Sequence, residues 1–461
     1  MRLNEIYNVY LLGIGGIGMS AIARYFSSLK KNVAGYDKTQ TALTDELQKE
    51  GMKIHFEDNI ELLPAHFRNK ERTLIIYTPA IPQDHKELAF FVEYGYTIIK
   101  RSDALGMLTA STKNLAIAGT HGKTTTTTLT AHILKVAGYK FNAFMGGISK
   151  NYNSNILLNC DAEYSVIEAD EYDRSFLKLS PHAAIITSID ADHLDIYGSF
   201  ENVKEAFSDF TKLITQNGFV LVKKEADIHL NCNKLVKKYT YSINLEADFF
   251  IKNLQIENGL YQFDLVHPTG VIEDIELGVP GLFNVENSVA ASAMALLCGV
   301  EADAIKTALK SFAGIQRRLD FRIRTDKLIY IDDYAHHPEE IKACINSVRK
   351  MFPDKMITGI FQPHLYSRTR DFADEFAESL SMLDELILLP IYPARELPIE
   401  GVDSEMLLFK VTCKKKQVCT KKDLFKVLDN KEINIILTVG AGDIDQLIEP
   451  LEKYLSNVND N

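Results

Sequence analysis

Leu115-Ala-Ile-Ala-Gly119-Thr-His121-Gly122-Lys123-Thr124-Thr125 decides how the rest of this chain reads. An apolar run breaks on glycine and resumes as Thr126-Thr-Thr-Leu-Thr-Ala-His-Ile-Leu-Lys-Val-Ala137 ahead of Gly138, so the spacing predicts a buried strand, a tight loop and a helix. Such a loop points several backbone N–H groups and the positive end of a helix at one spot, where a polyphosphate fits. Lys123 then reaches the outer phosphates, and the Thr124 hydroxyl a Mg2+ ion. Only two residues separate Gly119 from Gly122, against roughly four in the common Walker pattern, so the loop is a shorter variant. Five consecutive threonines, Thr124 to Thr128, open a helix poorly on propensity alone, which favours phosphate binding over a plain turn carrying a surface lysine.

The 461 residues are 46% hydrophobic and 25% charged, the profile of an ordinary globular protein with room for about three domains, each with its own core. A formal net charge of −11 argues against a general nucleic-acid or membrane surface, because those partners call for clustered Lys and Arg. The six cysteines (160, 232, 298, 344, 413 and 419) form no C-x-x-C pair, which suits reduced thiols in a cytosol. Met1-Arg-Leu-Asn-Glu-Ile-Tyr7 lacks an apolar signal core and no stretch has the length of a membrane span, so a cytoplasmic protein is expected.

Upstream, Val9-Tyr-Leu-Leu12 leads into Gly13-Ile-Gly15-Gly16-Ile-Gly18, a G-x-G-x-x-G pattern between a strand and a helix. A second strand, Asn32 to Tyr36, ends on Asp37, where a dinucleotide-binding fold places its ribose-binding acid. Leu74-Ile-Ile-Tyr77 runs into Thr78, and Thr97-Ile-Ile-Lys100 into Arg101 and Ser102, so two more strand ends face the same nucleotide or diphosphate crevice. A first boundary is expected near Met107 to Thr112, giving domains at 1–110 and 111–314.

Downstream, Asp161 to Ile167 ends on Glu168-Ala-Asp170-Glu171-Tyr-Asp173-Arg174. Glu168, at the end of a buried strand beside a phosphate loop, is the natural carboxylate for Mg2+. A further strand ends in Asp190-Ala-Asp192-His193-Leu-Asp195, where flanking carboxylates favour His193 as a second metal or phosphate ligand. Ala247 to Leu277 alternates like a small β-meander, and Gly281 to Asn287 is expected to open a helix from Ser288 to Cys298, with Asn284 as cap and Asn287 free for a base. A second boundary falls near Gly314 to Asp320. From 315 to 461, four apolar strands each end in polar residues, the last three in Gln362-Pro-His364-Leu-Tyr366-Ser-Arg368, Pro390-Ile-Tyr392 and Gly440-Ala-Gly442-Asp443, and the first in Asp332-Asp333-Tyr334-Ala-His336-His337. This describes a doubly wound sheet with one functional edge.

Together, Gly13-Ile-Gly-Gly-Ile-Gly, Gly119-Thr-His-Gly-Lys-Thr-Thr, Glu168-Ala-Asp-Glu, Asp192-His-Leu-Asp, Gln316-Arg-Arg, Asp332-Asp-Tyr-Ala-His-His-Pro, Phe361-Gln-Pro-His and Gly440-Ala-Gly-Asp resemble, in order along nearly the whole chain, the Mur ligases of peptidoglycan synthesis. The resemblance implies an α/β protein of three domains: an N-terminal Rossmann-like one for a UDP-sugar, a central P-loop ATPase, and a C-terminal Rossmann-like one for an amino acid. It implies ATP, Mg2+ and an acyl phosphate, and the histidine in the loop points to the branch that joins L-alanine to UDP-N-acetylmuramate or to its tripeptide-recycling relative. By motif position, Gly13, Gly15, Gly16, Gly18, Asp37, Thr78, Arg101 and Ser102 would serve the UDP-sugar. Gly119, Thr120, His121, Gly122, Lys123, Thr124, Thr125, Asn287 and Arg318 would serve ATP, with Lys123, Glu168 and His193 catalytic. Thr124, Glu168 and His193 would hold metal, and His336, His364 and Arg368 the amino acid. A monomer or homodimer without nucleic-acid or membrane partners is implied. The chain departs from the pattern at Phe283 and Leu365, where His and Arg are expected, and at Phe207-Ser-Asp209-Phe, where later members place a carbamylated lysine. An NAD-linked dehydrogenase would explain the first glycine motif and Asp37 but leaves the Lys123 loop without a role. A nucleotide-dependent switch would leave the last domain's polar edge unused.

Overall fold

The apolar run ahead of Gly119 is a strand fully buried from Asn114 onward, and the threonine-rich stretch is the helix Lys123–Val136. The structure, a computed structural model, describes residues 5–191, 194–257, 260–394, 396–429, 431 and 433–459. Several of the threonine hydroxyls find partners within the helix or beside it. Thr128 and Thr130 donate at 2.8 Å to the carbonyls of Thr124 and Thr126, and Thr126 donates to Asn287. A hydroxyl so occupied can be buried without competing for helix N–H groups.

The first sheet contains β1 (Asn8–Leu12), β2 (Asn32–Tyr36), β3 (Lys53–His55), β4 (Thr73–Tyr77) and β5 (Thr97–Lys100), all parallel, in the order β3-β2-β1-β4-β5. The order reverses between β1 and β4, which opens a crevice at their C-terminal ends. Leu12 pairs with both Tyr36 and Tyr77, so the turns beginning at Gly13, Asp37 and Thr78 leave one edge together.

The second sheet holds β6 (Lys113–Ala118), β7 (Phe141–Ser149), β8 (Ser154–Leu157), β9 (Tyr164–Glu168), β10 (Pro181–Ile186), β11 (Phe219–Lys223), β12 (Lys237–Ser242), β13 (Phe249–Glu257), β14 (Leu260–His267) and β15 (Gly270–Glu276). Its order is β15-β14-β13-β12-β11-β10-β6-β9-β7-β8, so the expected meander extends one end of the sheet, with β14 and β15 antiparallel. β6 lies between β9 and β10, parallel to both, which brings Glu168 opposite Ile117 and Ile186 opposite Ala118.

The third sheet, β16 (Asp320–Arg324), β17 (Ile329–Asp333), β18 (Ile357–Phe361), β19 (Glu385–Leu388), β20 (Lys415–Val418) and β21 (Ile435–Val439), runs β16-β17-β21-β18-β19-β20. Four of these were legible as apolar runs. The two outermost were not, because Asp-Phe-Arg-Ile-Arg and Lys-Lys-Gln-Val are edge strands that water can reach, β16 being antiparallel. Asp332 and Asp333 also lie inside β17, buried, rather than beyond it.

The first two sheets belong mainly to one unit (Met1–Gln255, Gln262–Gly278, Asn284–Ala313), the third to the other (Ile256–Tyr261, Val279–Phe283, Gly314–Asn461). Within the first unit, Phe144 and Ile156 of the second sheet share an apolar cluster with Val9 and Leu11 of the first and with Ile14 in the loop after β1. Arg24 of the helix Ile17–Ser28 donates to Asn155 Oδ1 at 2.7 Å, and Asn155 donates to the Ile17 carbonyl at 2.6 Å. The helix expected from Ser288 starts at Leu282, directly after Pro280-Gly281, so Asn284 sits inside its first turn and is not the cap. Among the described residues, no helix is long and apolar enough to cross a membrane.

Candidate active site

Gly122 takes φ +83° just before the helix Lys123–Val136, a left-handed conformation open to glycine at little cost. Lys123 Nζ donates to the carbonyls of Gly119 (2.6 Å) and Thr120 (3.1 Å) and to Glu171 Oε1 (2.9 Å). Burial works against its charge, but Glu171, Asp170 and Glu168 outweigh it and raise the Lys123 pKa, so the ammonium is held in the loop. Thr120 donates to Asp190 Oδ2 at 2.9 Å, and the His121 N–H donates to the Ser188 hydroxyl at 2.9 Å, which ties the loop to the chain following β10. Thr125 is buried. Asn287 stands against the loop: a Cβ on Gly122 would lie 2.5 Å from its Oδ1.

The acid run beside the loop divides its work. Glu168 Oε1 accepts the Thr124 hydroxyl at 3.1 Å, and a Cβ on Gly146 would come within 2.1 Å of the other Glu168 oxygen, so β7 leaves room for this carboxylate only because it carries glycine there. Asp170 is 2.6 Å from Arg101 Nη2, Glu171 holds Lys123, and Asp173 is 2.7 Å from Lys100. Among the described residues, no group of three or more His, Cys, Asp or Glu is placed to hold a metal. Thr124 and Glu168 offer two hard oxygen donors, which fits Mg2+, an ion that takes one or two protein oxygens and completes its shell with phosphate and water. His193, expected as a further ligand, lies outside the described residues.

At the first loop, the Gly13 N–H donates to Tyr36 O at 2.8 Å, the Gly16 N–H to Gly13 O at 3.2 Å, and the Gly15 N–H to Asp37 Oδ2 at 2.8 Å. The Asp37 carboxylate therefore sits on the loop itself. Thr78 packs against Gly13, Arg101 Nη1 lies 2.6 Å from where a Gly18 Cβ would be, and Ser102 is buried in the helix that Arg101 opens. Three residues before the loop, the Tyr10 hydroxyl donates to Glu87 Oε2 at 2.7 Å and lies 2.7 Å from His55 Nε2. Burial pushes the Glu87 carboxyl up to about 7.

In the other unit, Asp333 accepts the N–H groups of Leu319 (2.6 Å) and Ala335 (2.7 Å), and burial raises its pKa to about 6. Arg317 reaches Asp332 at 3.1 Å, while the Arg318 guanidinium stands 5.1 Å from the centre of the Tyr334 ring. The His336 ring lies 6.0 Å from that of His364, and His364 stacks on Tyr392 at 5.7 Å. Burial lowers the His336 pKa; Glu340 opposes this, and the charges of Arg368 and Arg318 add to it. His336, His364, Arg368 and Arg318 thus form one group around a neutral imidazole. Leu365 precedes the Arg368 helix with φ +71°, and Phe283 packs on the apolar core of the third sheet.

Comparison with known proteins finds three matched segments: the Mur ligase family catalytic domain over residues 8–113, the Mur ligase middle domain over 117–295 and the Mur ligase glutamate ligase domain over 317–442. The chain belongs to the Mur ligase family. It is 50% identical over 455 residues, 99% of this chain and 98% of the relative, to a UDP-N-acetylmuramate–L-alanine ligase of Parabacteroides distasonis. It is 47% identical over 457 residues, 99% of each chain, to the protein of that name from Flavobacterium johnsoniae. Among solved structures, the UDP-N-acetylmuramate-alanine ligase of Thermotoga maritima aligns with a TM-score of 0.81 at 27% identity, covering 98% of this chain and 99% of that one. A murein peptide ligase of Psychrobacter arcticus shares the fold, with a TM-score of 0.73 at 22% identity, covering 98% of this chain and 99% of that one.

In this Mur ligase the residues that sequence reading passed over are partners of those it singled out. Glu171 stood in an acid run with no sign of which member meets Lys123. Gly146 carried no motif of its own. Phe207, in the stretch that carries no lysine, is fully buried with its ring 5.2 Å from that of Phe176.

Proposed function

We infer that the chain joins L-alanine to the lactyl carboxylate of UDP-N-acetylmuramate with conversion of ATP to ADP and phosphate, in peptidoglycan precursor synthesis. The observation that carries this is near-50% identity over the whole length to ligases of that name, on a chain whose Lys123 is held at a phosphate loop. In this reading domains 1–110, 111–314 and 315–461 take the UDP-sugar, ATP and the amino acid. The enzyme works in the cytoplasm as a monomer or homodimer.

The lactyl carboxylate is a poor electrophile. Its oxygen attacks the γ-phosphorus of ATP, the bond to the β-phosphate oxygen breaks, and ADP leaves. The amine of L-alanine, as free base, then attacks the acyl carbon, phosphate departs, and the nitrogen loses a proton. Lys123 and the N–H groups of residues 122–124 face the charge that builds on the transferred group. Thr124 and Glu168, with His193, would hold Mg2+, which would supply positive charge against the phosphates. Asn287 and Arg318 serve the nucleotide. Arg368 gives the alanine carboxylate a planar fork, and His336 and His364 line the same end.

The test is phosphate release from ATP, Mg2+ and UDP-N-acetylmuramate with L-alanine, glycine, L-serine or the tripeptide. L-alanine should react best, with glycine and L-serine reduced but active, because a methyl pocket discriminates weakly. Preference for the tripeptide would reassign the amine and keep the ligase class; no amine-dependent ADP would remove the ligase reading.

A further inference from the structure

Arg101 opens the helix Arg101–Thr109 directly after β5, and its guanidinium has two neighbours. Nη1 lies 2.6 Å from where a Gly18 Cβ would be, and Nη2 lies 2.6 Å from Asp170 Oδ2. Asp170 is followed by Glu171, which holds Lys123 at 2.9 Å. Asp170 also fixes its own turn: its Oδ1 accepts the Tyr172 N–H at 3.0 Å, and its carbonyl accepts the Phe176 N–H at 2.8 Å. Tyr197 donates to the Glu171 carbonyl at 2.6 Å from the far side. Contacts therefore run without a gap from the first glycine loop to the second, through Arg101, Asp170, Glu171 and Lys123.

We propose that Asp170 is a positioning residue that links the two loops, orienting Arg101 over Gly13–Gly18 and, through Glu171, Lys123 over Gly119–Lys123, so that UDP-N-acetylmuramate and ATP bind cooperatively. The proposal rests on the ligase reading above. Guanidinium is planar with five donors, so Arg101 can keep Asp170 while it turns a second edge to the diphosphate at Gly18. A ligand there fixes Arg101, hence the Asp170–Glu171 turn, hence Lys123, and the second ligand meets a site already ordered. By linkage the effect is the same in either order of addition. Burial opposes ionisation of Asp170, but Arg101 and then Lys123 outweigh it and hold the carboxyl below its usual range, so charges at both loops act on this one group. The neighbouring Lys100–Asp173 pair, with both side chains over a third exposed, serves as a surface control.

Calorimetric titration of the full chain with UDP-N-acetylmuramate, with and without a non-hydrolysable ATP analogue and Mg2+, tests this. The wild type should bind the UDP-sugar about fivefold or more tighter when the analogue is present, and the analogue tighter by the same factor when the sugar is present. Asp170→Asn keeps the shape and loses the charge; each ligand alone should bind within about threefold of wild type while the coupling factor falls below about two. Asp170→Glu should recover part of the factor and Lys100→Met should keep all of it. A wild-type factor of one, full coupling in Asp170→Asn, or equal loss in Lys100→Met would overturn the proposal. Wild-type protein that binds neither ligand would instead overturn the ligase reading. If Asp170→Asn does not fold, Asp170→Ser, which keeps an acceptor near the Tyr172 N–H and loses the charge, is read by the same criterion.

Discussion

The loops Gly13–Gly18 and Gly119–Lys123 are built alike: each follows a buried parallel strand and each leads into a helix, of 12 and 14 residues respectively. Both offer backbone N–H groups and a helix N-terminus to an anion. They differ in the charge set on them. The first carries no lysine; the cation beside it, Arg101, comes from the helix after β5, and its Gly15 N–H is occupied by Asp37. The second has a lysine within it, fixed by two carbonyls and Glu171. A backbone cradle is enough to hold a phosphate group that does not react. A cation fixed where charge develops is what chemistry adds.

If that distinction is right, Lys123→Ala should cost turnover about a thousandfold, on the order of 4 kcal/mol, while UDP-N-acetylmuramate still binds. Turnover above about a tenth of wild type would make the two loops equivalent.

Glu87 probes the packing under the first loop alone. Its carboxyl is raised from 4.5 to about 7 by burial, so the folded state holds the proton more tightly. That contribution is complete below about pH 4.5 and is lost as pH rises through about 7. The stability of wild type minus that of Glu87→Gln should therefore fall by roughly 2 kcal/mol from pH 5.5 to 7.5. Denaturant midpoints across that range measure it, and parallel curves would mean the carboxyl is not held protonated.

Glu168→Gln should raise the Mg2+ concentration for half-maximal rate about tenfold, because the amide keeps the shape but not the charge. An unchanged Mg2+ titration would leave Glu168 as the holder of Thr124 only. The smallest effect is expected at Asp37→Asn, which weakens one hydrogen bond to the first loop: KM for the UDP-sugar should rise by about 1 kcal/mol, or roughly fivefold, with KM for ATP unmoved. A shift of both constants together would say the loops do not divide the substrates.

Both glycine loops were legible from sequence because the glycines, the flanking apolar runs and Lys123 lie close together in the chain. What could not be read was pairing across the chain. Lys123 meets Glu171, 48 residues on, and Arg101 meets Asp170, 69 residues on; four acids within six residues give no sign of which faces which base. Edge strands β16 and β20 escaped because half-wet strands do not show an apolar run. The start at Leu282 escaped because Asn284 has the chemistry of a cap but stands two residues inside the helix. The helix through the threonine run was legible from its place after the glycine loop, but the partners of its hydroxyls were not: Thr124 meets Glu168, Thr126 meets Asn287 and Thr128 bonds back to the Thr124 carbonyl.

β20 has a consequence for the protein in concentrated solution. It closes one side of the third sheet with Lys415 and Lys416 exposed and Lys414 just before it. A strand at a sheet border is a template on which another molecule can add by backbone pairing. Two such borders meeting here would bring the ammonium groups of Lys414 and Lys415 up against their copies, so the charge on this border works against growth into ribbons.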